Sequence, residues 1–565
     1  MKRFFITTFA IILAASTAGA QDTYFAELLS RNNYYGSARS IALGNAMTAL
    51  GGDLGSVGIN PAGSAVNGFG QFTITPGLLF QNTGASLAVD GVNYSPSQNT
   101  THTKFNIPNV GATMVLYTGD SYGLKYMTLG FIANTTNTYL NYMGVRGSSS
   151  SSSFLGNLAA AAAGMGSGDM PDDIYAAYCA NQFGAYGPGN NYAAANQRWT
   201  VPASGSGPQW DKAYAYVPGV VSQTSTYDTF GSKSDLLFNM AFNISDRFYF
   251  GFNLGLPILQ YRRHEVFGEY ADAPVLFPNE FYNQDGSSAG VSNWVNSSNG
   301  YKLNTEATGI YAKFGFIWLP TSNLRVGAAI QTPTALSVDD QWQYSASSTY
   351  ENSKFNGSAY SDIRQYSYRL RTPYVIDAGV AYTIPGLGLF SLDYEMTDYS
   401  VMKFRENDNY YFDNGAWDFT NASNKTFCGL SHSVRAGVEV KPTEEISLRA
   451  GYSLITDPEK YGTDSYGNKI TAENWEGPQQ AIGNLQYFKN KTHAFSLGAG
   501  YSSSGSFFCD AALRLTKYPV AYYSPYYYGN YAVYDKDRNL IVTDMPLEKF
   551  GKNIFDVVLT FGWRF

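Results

Sequence analysis

IFDVVLTFGWRF closes the chain at residues 554–565. Phe555, Val557, Leu559, Phe561, Trp563 and Phe565 fall on one face; Asp556, Val558, Thr560, Gly562 and Arg564 fall on the other. A period of two marks a strand whose faces meet different surroundings. The apolar face is rich in aromatics toward its end, and the chain stops on one of them. Such a terminal strand points to a bacterial outer-membrane barrel, with Phe565 as the expected mark read by the barrel-assembly machinery. The rival is the edge strand of a soluble sandwich.

The alternation recurs upstream. Phe248, Phe250, Phe252, Leu254, Leu256 and Ile258 alternate with Tyr249, Gly251, Asn253 and Gly255. Leu324, Val326, Ala328 and Ile330 alternate with Arg325, Gly327, Ala329 and Gln331. Val434 to Val440 and Ile446 to Tyr452 repeat the pattern, with Arg435, Glu439 and Arg449 on the small-residue face. An Arg at mid-membrane on a lipid face costs about 2–4 kcal/mol, so the charged face must line a lumen.

Fourteen such segments are expected, near 69–81, 102–117, 124–143, 231–244, 247–263, 301–318, 323–344, 363–384, 387–404, 425–441, 446–456, 491–502, 506–519 and 551–565. Short turns (Ser245-Asp246, Pro385-Gly386, Pro442–Glu445) alternate with long polar loops, the largest near 144–230. That alternation predicts an all-β, antiparallel transmembrane barrel with short periplasmic turns and long extracellular loops. Its even count returns both ends to the periplasm. Within the largest loop, 154–163 and 172–182 are helix candidates, expected to pack over the barrel mouth or to form an apolar capture patch.

Lys2 and Arg3, the apolar run 4–15 and Ala18-Gly19-Ala20 predict a secretory leader over 1–20, with Sec-type export. The run is too short to be a transmembrane anchor. The formal net charge of -7 argues against nucleic acid as a partner. Cys179, Cys428 and Cys509 define no disulfide framework. His102, His264, His432 and His493 lie in separate segments and suggest no metal site, and no cofactor is expected. Gly286 to Gly290 spells G-x-S-x-G without the strand–turn–helix setting a nucleophile needs, so an enzyme is not expected.

Residues 21–68 precede the first strand. Their stretch 37–65, SARSIALGNAMTALGGDLGSVGINPAGSA, is too poor in bulk for a core and too apolar for a linker. A fourteen-strand barrel leaves a lumen too wide for its own side chains to fill. The stretch is therefore expected to plug that lumen, with the barrel, 69–565, as its enclosure.

Gly44-Asn45-Ala46, Asp53 and Asn60-Pro61-Ala62-Gly63 before an aromatic first strand resemble the FadL-type outer-membrane transporters of long-chain fatty acids and aromatic hydrocarbons. The resemblance covers about residues 36–80. It implies a fourteen-strand barrel with an N-terminal hatch. Asn45, Asp53, Asn60, Pro61, Ala62 and Gly63 would then be hatch or gate residues. It also implies a kinked third strand that lets ligand leave sideways into the membrane; Gly130 to Asn134 is the expected kink. A fatty-acid carboxylate would want a forked cation, and Arg325, Arg435, Arg449 and Arg514 are lumen candidates, with pairing to lumen acids as their rival role.

The expected function is passive, hatch-gated transport of hydrophobic small molecules across the outer membrane by a monomer that contacts outer-membrane lipids. The alternative is a barrel that docks or shuttles secreted proteins. A barrel esterase and a polar porin are weaker readings.

Overall fold

The computed structural model describes residues 23–88, 95–150, 152–185, 190–200, 214–283, 285–407, 415–463, 482–487, 490–523, 532–534, 540–542 and 547–565. The expected leader lies outside them.

Fourteen antiparallel staves close into a barrel. They are β1 Gln71–Ala88, β2 Gln98–Tyr117, β3 Leu124–Thr138 with its continuation Asn141–Ser149, β4 Val221–Ile244, β5 Phe248–Ala271, β6 Ser288–Trp318 and β7 Leu324–Gln331 with Ala335–Tyr350. Next come β8 Arg364–Arg371 with Val375–Ile384, β9 Gly388–Asp398 with Lys403–Glu406, β10 Leu430–Val440 and β11 Ile446–Thr456. The last are β12 Lys491–Ser502, β13 Phe507–Tyr523 and β14 Leu547–Arg564. Each pairs with its sequence neighbour, and β14 closes the ring on β1, Phe555 opposite Phe80. This closure joins the first and last strands of the sheet into a ring.

The large-residue faces read from the sequence point outward. Phe250, Phe314, Ile330, Val380, Leu392, Val438, Leu448, Leu497 and Leu559 are exposed, whereas Asn253, Lys313, Asp377 and Asp556 on the opposite faces are buried. An exposed apolar band around a closed barrel is a lipid-facing surface.

Several staves run far beyond that band. β6 has 31 residues, against the roughly 9–11 that cross a bilayer. Ser288 to Gly300 and Val221 to Phe230, expected as loop, belong to strands. Above the membrane the outward face turns polar (Ser222, Thr224, Thr226) and the inward face mixes buried Gln223 and Ser225 with buried apolar residues, so the period-two contrast is lost while the hydrogen-bonded ladder continues.

The largest loop contributes two helices, α3 Phe154–Ala161 and α4 Asp172–Cys179, buried on the inner wall of the tall staves beside Phe267, Phe277, Trp294 and Tyr350. Buried Glu269 on β5 meets the start of α3, accepting from Phe154 N (2.8 Å) and Leu155 N (3.2 Å). A carboxylate there satisfies amides that have no partner inside the helix.

Three neighbouring staves break at one level. β7 is interrupted at 332–334 and β8 at 372–374, each with a proline in the middle, and β9 at 399–402. A proline has no N–H to give the ladder, so it belongs at such a break.

Candidate functional site

The N-terminal segment lies inside the barrel. It comprises α1 Thr23–Ser30, α2 Ala38–Ala42 and two 3₁₀ turns, Leu54–Ser56 and Pro61–Val66. Ile41, Leu43, Leu54 and Ile59 are fully buried, although the segment is too small to bury them itself. The wall does so, and glycines let it come close. Gly251 faces Gly315 across β5 and β6, Gly327 faces Gly379 across β7 and β8, and Gly437 faces Gly451 across β10 and β11. A Cβ at Gly315 would overlap Asn60, at Gly327 it would overlap Thr48, and at Gly451 it would overlap Gly44. Three cross-strand glycine pairs therefore form the seats of the plug.

The residues carried over from the resemblance fall in these contacts. Asn60 caps the 3₁₀ turn, its Oδ1 accepting from Ala62 N (3.0 Å), with Pro61 in the first position. Its Nδ2 donates to Thr48 O (2.6 Å) and to Phe316 O of β6 (3.1 Å). Gly63 O accepts from Gly52 N (2.8 Å). Asn45 takes a left-handed backbone (φ 61°) and donates to Tyr34 O (2.9 Å). Asp53 accepts from Ser37 Oγ (2.5 Å). Burial raises the Asp53 carboxyl above its ordinary value, against the lowering effect of Ser37 and Arg39.

The four lumen arginines are all engaged. Arg435 binds Glu395 (2.5 Å) and lies 3.8 Å from Asp377, which also holds buried Lys313 (2.9 Å). Arg449 pairs with Asp510 and Glu439, and the plug's Arg39 joins the same Glu439 (3.2 Å). Arg514 pairs with Asp556 (2.7 Å) and lies over the Tyr35 ring. Arg325 donates to the plug carbonyl of Leu50 (2.7 Å). Their charges are met by wall acids or by the plug, and none lines either of the cavities described below.

Strand three carries the main irregularity. β2 and β3 pair from Tyr117–Tyr126 to Asn109–Asn134 and no further. Above that point β2 keeps only its β1 partner, Gln98 to Asn106. Pro108 sits where the ladder ends, as an edge position tolerates. β3 shifts register at Thr135–Asn137, breaks at Tyr139-Leu140, and its continuation Asn141–Ser149 pairs with β4 alone. The continuation turns inward: Tyr142 O accepts from Gln81 of β1 (2.9 Å), and Met143 and Val145 pack on Ala85 and Leu87. A seam is left between upper β2 and upper β4, crossed by Lys104 Nζ to Gly231 O (3.2 Å), while Gln98 Nε2 donates to Arg146 O (3.2 Å) and His102 stacks on Tyr142 (3.9 Å) of the β3 continuation.

The departure begins at the far end of the expected kink, Gly130 to Asn134. Gly130 pairs regularly with Thr113 and Asn239. Asn134 is the last residue joined to β2, and the departure comes just after it. The plug takes over as partner there: Asn33 N donates to Thr136 O (2.7 Å) and Tyr35 N to Thr135 O (2.8 Å). Asn134 Nδ2 donates to Gly55 O (3.2 Å), and Lys233 caps the end of α1 through Leu29, Ser30 and Arg31 carbonyls.

Two cavities flank the plug. One, about 20 Å³, lies between the end of α1 and the broken staves, lined by Lys233, Asp235, Tyr311, Thr334 and Pro373. The other, about 40 Å³, lies at the mouth under α3, lined by Phe154, Leu158, Phe267, Tyr301 and Tyr344. Each has room for water and not for an alkyl chain.

Ser288 of the G-x-S-x-G stretch begins a strand and has no helix behind it. His432 bonds Tyr394 OH (2.7 Å), while Ser431 and Ser433 beside it are buried on the opposite face. All three cysteines are free.

No family model matches the chain, and no curated protein matches it. Solved structures do. The Pseudomonas putida toluene transporter TodX shares 10% identity, with 94% of this chain and 99% of that chain covered and a TM-score of 0.44. A Pseudomonas aeruginosa FadL homologue shares 12%, covering 94% and 98%, at 0.43. The CymD monoaromatic hydrocarbon channel shares 10%, covering 94% and 98%, at 0.42. The likeness is loose, and the barrel, the plug and the seam stand on this chain's own strand pairing. Across 94% of its length the chain is similar to a FadL-type barrel.

Proposed function

We propose that this chain passes hydrophobic small molecules across the outer membrane, and releases them sideways through the seam between upper β2 and upper β4. The observation that carries the reading is the departure of β3 from β2 after Asn134, with plug residues Asn33–Tyr35 in the vacated pairing position. An apolar ligand gains about 0.8 kcal/mol per buried CH₂, so lateral exit into lipid is downhill where exit into water is not. The apolar cavity beneath α3 is the entry point. The cavities are too small for ligand as they stand, so the plug must shift for passage. No enzymatic step is proposed.

The test is uptake of labelled toluene and of a labelled long-chain fatty acid by cells expressing the intact chain, Asn60→Ala, or a chain lacking residues 136–140. Uptake above that of empty cells, changed by Asn60→Ala and abolished by the deletion, supports the reading. Uptake equal to that of empty cells from a correctly inserted barrel rejects it for those ligands. The tall staves and the small cavities favour a second reading, a docking barrel for a secreted protein. Retained surface binding of a co-secreted protein by the deletion variant would favour it.

A further inference from the structure

On β8, Tyr368 and Leu370 are buried, so Arg369 and Arg371 point outward and are exposed. On β9, Phe404 is buried, so Lys403 and Arg405 point outward and are exposed. The register puts Arg369 directly opposite Arg405 and Arg371 directly opposite Lys403. Four cations thus occupy a patch about 5 Å across the strands and about 7 Å along them. Like charges directly opposite each other destabilise a sheet.

Protein groups do not relieve this repulsion among the described residues. None of the four joins an ion pair there, and their one side-chain hydrogen bond runs from Arg369 Nε to Asn407 Oδ1 (3.3 Å). The acids on the same outward rows are engaged elsewhere: Asp339 with Ser367, and Asp398 with Ser400 Oγ (2.7 Å).

The level of the patch is informative. It begins just above the shared break of β7, β8 and β9. Below the break lie outward Ile376, Val380, Leu392 and Tyr394, part of the lipid-facing band. Tyr394, bonded to His432, marks the rim of that band, where amphipathic rings collect. The cations therefore stand at headgroup height on the long-loop side, opposite the end that carries Phe565.

We propose that Arg369, Arg371, Lys403 and Arg405 bind the phosphate of an outer-leaflet lipid. Arginine forks match phosphate oxygens in pairs. One phosphate between the two opposed pairs turns four-fold repulsion into attraction, with the acyl chains lying along the apolar band. The site is on the outer wall and is independent of passage through the lumen. It rests on the orientation of the barrel in the membrane, not on transport.

The test uses the full chain in detergent micelles, titrated with bis-phosphorylated lipid A and with the same lipid after its phosphates are removed. In the variant R369Q/R371Q/K403Q/R405Q, affinity for the phosphorylated lipid is expected to fall about a thousandfold. A control, K491Q/K517Q, removes two exposed cations on β12 and β13 and is expected to bind as the parent does. Equal binding by the quadruple variant overturns the proposal, as does equal binding of the dephosphorylated lipid. Full competition by equimolar inorganic phosphate overturns it in favour of a free-anion site. Thermal unfolding supplies a second readout. Without lipid the quadruple variant should melt higher than the parent, because the repulsion is gone, and with lipid A the order should reverse. A lower melting point in both conditions also overturns it.

Discussion

Tyr35 donates its backbone N–H to Thr135 O at 2.8 Å, at the point where β3 has already left β2. The plug is thus more than a filling. It is the local pairing partner of the strand whose departure creates the seam, and movement of the plug is expected to move the seam with it. Replacing Tyr35 with proline removes that donor, worth about 1 kcal/mol, together with the buried ring under Arg514, worth about 3–5 kcal/mol. Amide exchange should then quicken in residues 33–37 and 135–138 together. Loosening of 33–37 alone would show that the two are not coupled.

The glycine seats make a second prediction. Gly315→Ala and Gly451→Ala drive a methyl into the plug and should lower stability by about 1–3 kcal/mol. They should also raise ion conductance in planar bilayers, as a displaced plug opens the lumen. Gly551→Ala is the control, because a Cβ there meets nothing within 4 Å. Its effect should stay within about 0.5 kcal/mol. Unfolding midpoints in urea with all three near-neutral would remove the seats from the account.

The buried ion cluster makes a third. Lys313 and Asp377 are both fully buried and 2.9 Å apart. Removing the cation alone, Lys313→Met, leaves the Asp377 carboxylate only the more distant Arg435 (3.8 Å) and should cost about 3 kcal/mol. The double change Lys313→Met with Asp377→Leu should recover most of that loss. A double variant as unstable as the single would mean that the pair is held for packing rather than for charge.

The membrane-crossing halves of the strands were legible because lipid outside and a polar lumen inside impose opposite demands every second residue. The upper halves were not, since their outward faces turn polar and their inward faces mix buried polar residues such as Gln223 and Ser225 with the apolar residues that hold α3 and α4. Glu439 and Arg449 face each other across the short hairpin at Pro442–Glu445, a pairing that the turn position already implies. Lys313 and Asp377 are joined only in three dimensions, through non-adjacent staves, and no local spacing announces them. The expected kink, Gly130 to Asn134, rests on glycine as a strand weakener, and the departure begins at its far end. The better signal was Pro108 on the neighbouring strand, which cannot complete a ladder. The seat glycines stood in the alternation as small residues opposite large ones. Their job became visible only once the plug backbone lay against them.

Asp53 gives a pH dependence with a definite sign. Its carboxyl is raised above its ordinary 3.8 by burial in the seated plug. The seated state therefore holds this proton to a higher pH than the unseated state does. By linkage, seating weakens as pH rises wherever the seated state binds more protons. The Asp53 contribution is fully present below pH 3.8 and is lost as pH rises through the raised value. Protection factors for the amides of residues 37–57, measured from about pH 4 to about pH 7, should fall with pH in the parent. In Asp53→Asn the side chain keeps an acceptor for Ser37 and has no proton to lose, so that part of the slope should vanish. Identical slopes in the two proteins would mean that Asp53 keeps one charge state throughout and that the plug's pH response lies elsewhere.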